Sequence, residues 1–140
     1  KEKQISRKRL PQERPTNKKP LWILVRHGKL YPVYFLSGNN TTLQNDQSIR
    51  WTNKLSSSLA EPIREKGIVI LKNEIGWKEY LNRWATNEYF ITFAVWPDSY
   101  KAFNVAKRIA VERGFLHAWD VWNGGESIVF SEQGTVPKPQ

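Results

Sequence analysis

The segment from Tyr89 to Trp122 constrains the fold more than any other part of the sequence. It opens with Tyr89-Phe-Ile-Thr-Phe-Ala-Val-Trp96, whose apolar, β-branched and aromatic residues are typical of a buried central strand. Pro97 ends this run, and residues 115–122 predict a second strand. The residues between the strands place five apolar side chains at helical spacing: Ala102, Phe103, Ala106, Ile109 and Ala110. The segment therefore predicts a β-α-β unit with a right-handed, parallel crossover.

Four residues of this unit have structural roles that follow from their positions. Asp98 or Ser99 lies just before the helix and offers an N-cap oxygen. Phe103 is on the apolar stripe, so we expect its side chain to face the core. Gly114 follows the last apolar position of the stripe, where a glycine commonly ends a helix.

The first half of the chain gives weaker signals. Residues 21–36 predict a β-hairpin with Gly28 in its turn, and Pro32 makes the return strand an edge strand or a bulged one. Residues 37–48 are turn-rich and predict a loop. Residues 59–66 predict a weak helix that Gly67 stops, and residues 67–71 predict a third strand.

Two shorter elements complete the prediction. Residues 77–85 place four apolar side chains on one helix face: Trp77, Tyr80, Leu81 and Trp84. Gly124 and Gly125 indicate a turn, and residues 127–130 a last short strand. The sequence thus predicts an α/β fold, with α+β as the alternative: a single small mixed sheet with two or three helices.

Positive charge is concentrated at the amino terminus. The net charge is +9, and residues 1–20 hold eight Lys and Arg against two Asp and Glu. This segment also has three prolines and few apolar residues, so we expect a flexible tail over residues 1–20, a globular domain over 21–134 and a frayed end over 135–140. Lys8 and Arg9 are candidate contacts for an acidic partner. A solvated tether is the alternative role of the tail.

Catalytic motifs are not apparent in the sequence. There is no Cys, and the two histidines, His27 and His117, fall in a predicted turn and on a predicted strand. We therefore expect no metal site and no cofactor. Asp98 and Asp120 follow neighbouring strands, but one suits a helix cap and the other alternates with apolar residues on a strand face. We expect the protein not to be an enzyme and assign no catalytic residue; an enzyme with an unfamiliar site is the alternative.

The seven tryptophans supply both core and candidate binding residues. We expect four or five of them to fill the core and one or two to be exposed. Exposed aromatic rings can stack on sugars or bases. Trp51, Trp119 and Trp122 are the candidates for such contacts.

Two segments resemble the periplasmic domain of the ExbD/TolR family. Residues 21–31, Leu-Trp-Ile-Leu-Val-Arg-His-Gly-Lys-Leu-Tyr, are similar to its opening strand, short glycine turn and strand. Residues 90–99, the helix up to Gly114 and the strand up to Val121 are similar to its closing strand, polar turn, helix and strand. Residues 37–88 do not align, and the family's functional carboxylate lies in a transmembrane helix that this sequence lacks. No functional residue is therefore carried over.

The resemblance implies a periplasmic accessory of a proton-driven inner-membrane motor complex used in biopolymer transport, with peptidoglycan contact and homodimer formation. We accordingly expect a non-catalytic binding or scaffolding domain, extracytoplasmic and membrane-anchored, with a protein partner or peptidoglycan. The chain holds no Met, so we expect an anchoring segment before Lys1, although a cloning choice accounts for that equally well. A cytoplasmic nucleic-acid-binding module that uses the basic tail and exposed aromatics is the alternative.

Overall fold

The computed structural model describes residues 17–125 and 128–131. Two helices lie within these ranges, α1 (Ile75–Leu81) and α2 (Tyr100–Glu112), and a short 3-10 turn (Pro97–Ser99) leads into α2. The strands of the described residues are β1 (Lys19–Arg26), β2 (Lys29–Pro32), β3 (Tyr34–Leu36), β4 (Thr42–Gln44), β5 (Ile49–Asn53), β6 (Ser57–Pro62), β7 (Tyr89–Val95), β8 (His117–Val121) and β9 (Ile128–Ser131).

A four-stranded mixed sheet, in the order β2-β1-β7-β8, forms the centre of the fold. β1 pairs with β7 in parallel, and β7 pairs with β8 in parallel across α2. β2 returns antiparallel to β1. The predicted parallel β-α-β unit is confirmed, and the chain has a mixed α/β fold of the small α+β kind.

Two further sheets correct the prediction of a single sheet. β3 and β4 form a two-stranded ribbon; β3 precedes the loop predicted over residues 37–48, and β4 lies within it. β5, β6 and β9 form a three-stranded antiparallel sheet. The weak helix predicted over residues 59–66 is wrong, because β6 pairs with β5 on one side and β9 on the other. The strand predicted over 67–71 is also wrong: only Ile68 bridges to Leu30, and Gly67 turns the chain at a φ of 96°.

Both faces of the central sheet are buried. Alternate residues of β1 and β7, such as Ile23 and Phe93, pack with Trp77 of α1 and Phe103 of α2. The intervening residues, such as Leu24 and Ala94, pack towards the β5-β6-β9 sheet. The fold is therefore layered as helices, central sheet and small sheet, and the predicted helix face of Phe103 is confirmed.

The hairpin turn between β1 and β2 is held against the start of α2. His27 and Gly28 have φ values of 57° and 72°, the left-handed pair that a two-residue hairpin requires. The His27 N–H donates to Asp98 Oδ2 at 3.3 Å, and the Gly28 N–H donates to Ser99 Oγ at 2.9 Å. Neither Asp98 nor Ser99 caps α2 with its side chain, so that prediction is wrong.

Gly114 follows α2 at a φ of 92° and donates its N–H to Val111 O, as a terminating glycine should.

The first strand begins within the tail predicted over residues 1–20. β1 starts at Lys19, and Lys19 and Pro20 pair with Tyr89 and Phe90, so the boundary predicted at residue 20 falls inside a strand. Residues 1–16 and the predicted frayed end 135–140 lie outside the described residues. No helix in the described ranges is both long and apolar enough to cross a membrane.

Candidate functional site

A cleft of about 630 Å³ lies beside the β3-β4 ribbon. Four rings form its wall: Trp22, Tyr34, Tyr89 and Phe130. Lys19, Asn40, Thr41 and Thr42 also line it and supply its polar groups. We call this the aromatic cleft. Its volume is within the range of small-molecule sites in proteins, roughly 300–1,000 Å³.

The rings of the aromatic cleft belong to one packed cluster. Phe130 lies at its centre, with ring centroids 6.0 Å from Trp22, 6.4 Å from Tyr34 and 6.2 Å from Trp51. Trp51 also contacts Tyr34, and its indole N–H donates to the Asn45 carbonyl at 2.8 Å. Tyr34 and Trp51 are half-buried, while Trp22 and Phe130 are buried behind them. The wall is therefore rigid and partly open to a ligand.

The polar side of the aromatic cleft is the loop of residues 37–41, which is held by hydrogen bonds among its own residues. Ser37 Oγ and Thr41 Oγ1 both donate to Asn39 Oδ1, at 2.6 Å and 3.2 Å, and the Ser37 N–H donates to Thr41 O at 2.7 Å. Asn40 follows at a φ of 65°, a left-handed conformation that asparagine tolerates better than most residues. The Asn40 N–H donates to the Ser37 carbonyl at 3.1 Å, whereas the exposed side-chain amide of Asn40 makes no hydrogen bond to a described residue.

The ionisable side chains that line the aromatic cleft are Lys19, Tyr34 and Tyr89. Burial raises the pKa of the Tyr34 hydroxyl, so it stays protonated. The Lys19 ammonium lies 6.0 Å from the centroid of the Tyr89 ring. Among the described residues that line the cleft there is no Asp, Glu or His. The arrangement suits stacking and hydrogen bonding rather than proton transfer near neutral pH.

A second, larger cleft lies on the other side of the ribbon, with a volume of about 800 Å³. Its apolar lining includes Pro32, Phe35, Leu36, Ile68 and Tyr80. Glu65, Lys66, Glu79 and Arg83 supply two charges of each sign. The Tyr80 hydroxyl donates to the Tyr34 carbonyl at 2.8 Å and so fixes α1 to β3 between the two clefts.

The candidate residues from the sequence do not gather in one place. Trp51 adjoins the aromatic cleft, and Trp119 lies half-buried on β8 with its ring 4.8 Å from Phe103. Trp122 is only 2% exposed and stacks on Trp96, so its ring does not offer a surface to a ligand. Lys8 and Arg9 lie outside the described residues. Five of the seven tryptophans are buried and two are half-buried, close to the expected division.

Sequence reasoning missed most of the aromatic cleft. Tyr34, Tyr89 and Phe130 come from three strands far apart in the chain, and nothing in their local sequence separates them from core residues. The Ser-Gly-Asn-Asn-Thr-Thr stretch of residues 37–42 was the available signal, since small polar residues beside an aromatic strand can form the rim of a site.

The two histidines and the paired aspartates do not form a site. Burial, then Arg64 and Arg26, lower the pKa of His27; burial and then Lys107 lower the pKa of His117. Asp120 is 1% exposed on the sheet face opposite the helices, whereas Asp98 binds the hairpin turn. Within the described residues, no three His, Asp or Glu side chains are grouped as metal ligands would be.

Comparisons with protein-family models, with curated protein sequences and with solved structures give no match to this chain. The ExbD/TolR resemblance thus stays a prediction from the residue pattern.

Proposed function

We propose that this chain is a non-catalytic binding domain of an extracytoplasmic, membrane-anchored protein, and that its aromatic cleft holds an amino-sugar strand of the peptidoglycan type. The cleft is the observation that carries the proposal. A pyranose ring has an apolar face that stacks on aromatic rings and an edge of hydroxyls that needs hydrogen-bond partners. Tyr34 and Tyr89 are half-buried rings, and Asn40, Thr42 and Lys19 lie beside them.

An N-acetyl group suits the same chemistry. Its methyl can lie on an aromatic ring, and its amide can exchange hydrogen bonds with an asparagine side chain. The Asn40 side chain offers both a donor and an acceptor at the edge of the aromatic cleft. The cleft volume of about 630 Å³ has room for more than one sugar ring.

The family resemblance supports the location and the anchoring. The two resembling segments, residues 21–31 and 90–121, form β1, β2, β7, α2 and β8, which together make the complete central sheet and its main helix. The unaligned residues 37–88 form one strand of the ribbon, β4, together with α1 and the strands β5 and β6 of the small sheet. A scaffold of the family's kind, with an added surface that carries the cleft, is consistent with a motor-associated protein that contacts the cell wall.

The test is a calorimetric titration of the protein with chitotetraose, a soluble N-acetylglucosamine oligomer. Asn40→Gly removes the amide and keeps the turn, because glycine adopts the same positive φ. We expect it to weaken binding about fivefold, the equivalent of one hydrogen bond. Asn104→Ala, on the exposed face of α2, is the matched control and should bind as the unaltered protein does. Absence of binding at millimolar oligomer, or equal binding by Asn40→Gly, would overturn the proposal.

One observation favours nucleic-acid binding as a second candidate. Arg26, Lys29 and Arg64 cluster at the hairpin turn, where Lys29 Nζ donates to the Arg64 carbonyl. Basic groups around a strand end could contact phosphates, and half-buried aromatic rings stack on bases as well as on sugars. This candidate predicts affinity for a single-stranded oligonucleotide that falls steeply as salt rises, with little response to chitotetraose.

A further inference from the structure

β8 is an edge strand with unused backbone groups. The Ile91 N–H donates to Leu116 O at 2.9 Å, and the Trp122 N–H donates to Val95 O at 2.9 Å. In this parallel register the backbone groups of Ala118 and Asp120 point to β7. Those of His117, Trp119 and Val121 consequently point away from the sheet, and no described backbone group bonds to them.

The opposite edge of the same sheet is closed. There the Leu30 N–H donates to Ile68 O at 3.0 Å, and the Ile68 N–H donates back to Leu30 O at 2.8 Å. In native proteins, Lys, Pro or a covering segment usually prevents an exposed edge strand from pairing with another chain. The sequence of β8, His-Ala-Trp-Asp-Val, has neither Lys nor Pro, and within residues 17–125 and 128–131 no segment pairs with its outer side.

Aromatic, basic and exposed apolar side chains lie beside this edge on the helix side. Trp119 lies against Phe103 with ring centroids 4.8 Å apart, and the Lys107 ammonium lies 5.3 Å from the Phe103 ring. Val111, two turns further along α2 from Phe103, is 52% exposed. A strand added to β8 would place every second side chain beside this part of α2.

We propose that β8 is a docking edge that adds one strand from a partner protein, an extended segment whose acidic side chain lies against Lys107. This proposal is independent of the aromatic cleft. The added strand would form antiparallel hydrogen bonds with His117, Trp119 and Val121.

The positive charge of this protein favours an acidic partner over a second copy of the same chain. The described residues hold 15 Lys and Arg against 9 Asp and Glu. The Lys107 ammonium has no described carboxylate within 4.0 Å. Its neighbour Arg108, in contrast, forms ion pairs with Glu74 and Glu112. A second copy of the chain would bring a second positive surface to a contact of only five residues, whereas a stable dimer needs roughly 1,200 Å² or more.

The test uses two blocked peptides, Thr-Val-Glu-Val-Glu-Val-Thr and the same sequence with Lys in place of both Glu. Binding to the isotope-labelled protein is followed by amide shifts and hydrogen exchange. We expect the Glu peptide to bind better and to protect the amides of His117, Trp119 and Val121. Lys107→Glu should weaken the Glu peptide about fivefold, since an attraction becomes a repulsion. Lys101→Glu, the same change on the exposed first turn of α2, is the matched control and should leave binding unchanged.

A backbone variant separates strand addition from simple charge attraction. Val121→Pro removes an outward N–H without removing a bond to β7, and Val121→Ala keeps that N–H. We expect the first to lose binding and the second to keep it. The proposal is overturned if Val121→Pro and Lys107→Glu both bind as the unaltered protein does, or if neither peptide binds. It is equally overturned if the three amides are already protected in the free protein, by its own terminal segments or by a second copy.

Discussion

The substitution Phe103→Ala tests the packing that joins α2 to the central sheet. The Phe103 side chain is 2% exposed, and its ring lies 5.1 Å from Phe93 and 4.8 Å from Trp119. Removing a buried phenylalanine ring costs about 3–5 kcal/mol of unfolding free energy. Trp119 is half-buried at the sheet edge and can move towards the cavity, so we expect the lower end, about 3 kcal/mol.

Urea unfolding followed by tryptophan fluorescence and circular dichroism measures this loss. The midpoint should fall while the slope stays the same, because the surface exposed on unfolding hardly changes. Val111→Ala, on the exposed side of the same helix, is the control and should change stability by less than about 0.5 kcal/mol. A Phe103→Ala protein within about 1 kcal/mol of the unaltered one would refute the assignment of this residue to the core.

Three further predictions concern a turn, a buried amide and the histidines. Gly67→Ala should destabilise the fold by about 2 kcal/mol or more in thermal unfolding, because its φ is 96° and an added Cβ would lie 2.9 Å from the Tyr31 ring; an unchanged melting temperature would refute this. Asn45→Ala should cost about 2–3 kcal/mol by urea unfolding, since the buried Asn45 amide donates to the Pro32 carbonyl and the Ser48 hydroxyl; a loss below about 0.5 kcal/mol would contradict it. Both histidine pKa values are lowered by folding, so stability should fall as pH drops below about 6.5, the value in the unfolded chain. Urea midpoints between pH 7.5 and 5 should show this fall, and replacing His117 with Gln and His27 with Asn should flatten it; an equal slope in the double variant would disprove the cause.

The sequence predicted the parts of the fold whose local pattern agrees with their tertiary role. β7 is an unbroken apolar run because it is central and buried on both faces. α2 shows a clean stripe because one side of it packs on the sheet. The short α1 was recognised for the same reason, since Trp77, Tyr80 and Leu81 are all buried.

β6 shows why the rest was not predictable. Its residues, Ser-Ser-Leu-Ala-Glu-Pro, have little apolar or β-branched character, and only long-range pairing with β5 and β9 makes them a strand. The aromatic cleft has the same origin, because its rings come from separate sheets and meet only in the folded chain. Trp51 is a binding candidate from the sequence, but its neighbours Tyr34 and Phe130 are not.

The indole N–H signals of the seven tryptophans offer the most direct measurement of the proposed function. Trp22 and Trp51 belong to the ring cluster of the aromatic cleft, whereas Trp77 and Trp84 lie in the helix layer of the core. In a titration with chitotetraose followed by nitrogen-correlated NMR, we expect the Trp22 and Trp51 indole signals to shift and those of Trp77 and Trp84 to stay in place. No shift at Trp22 and Trp51, or shifts confined to the other tryptophans, would contradict sugar binding in the aromatic cleft.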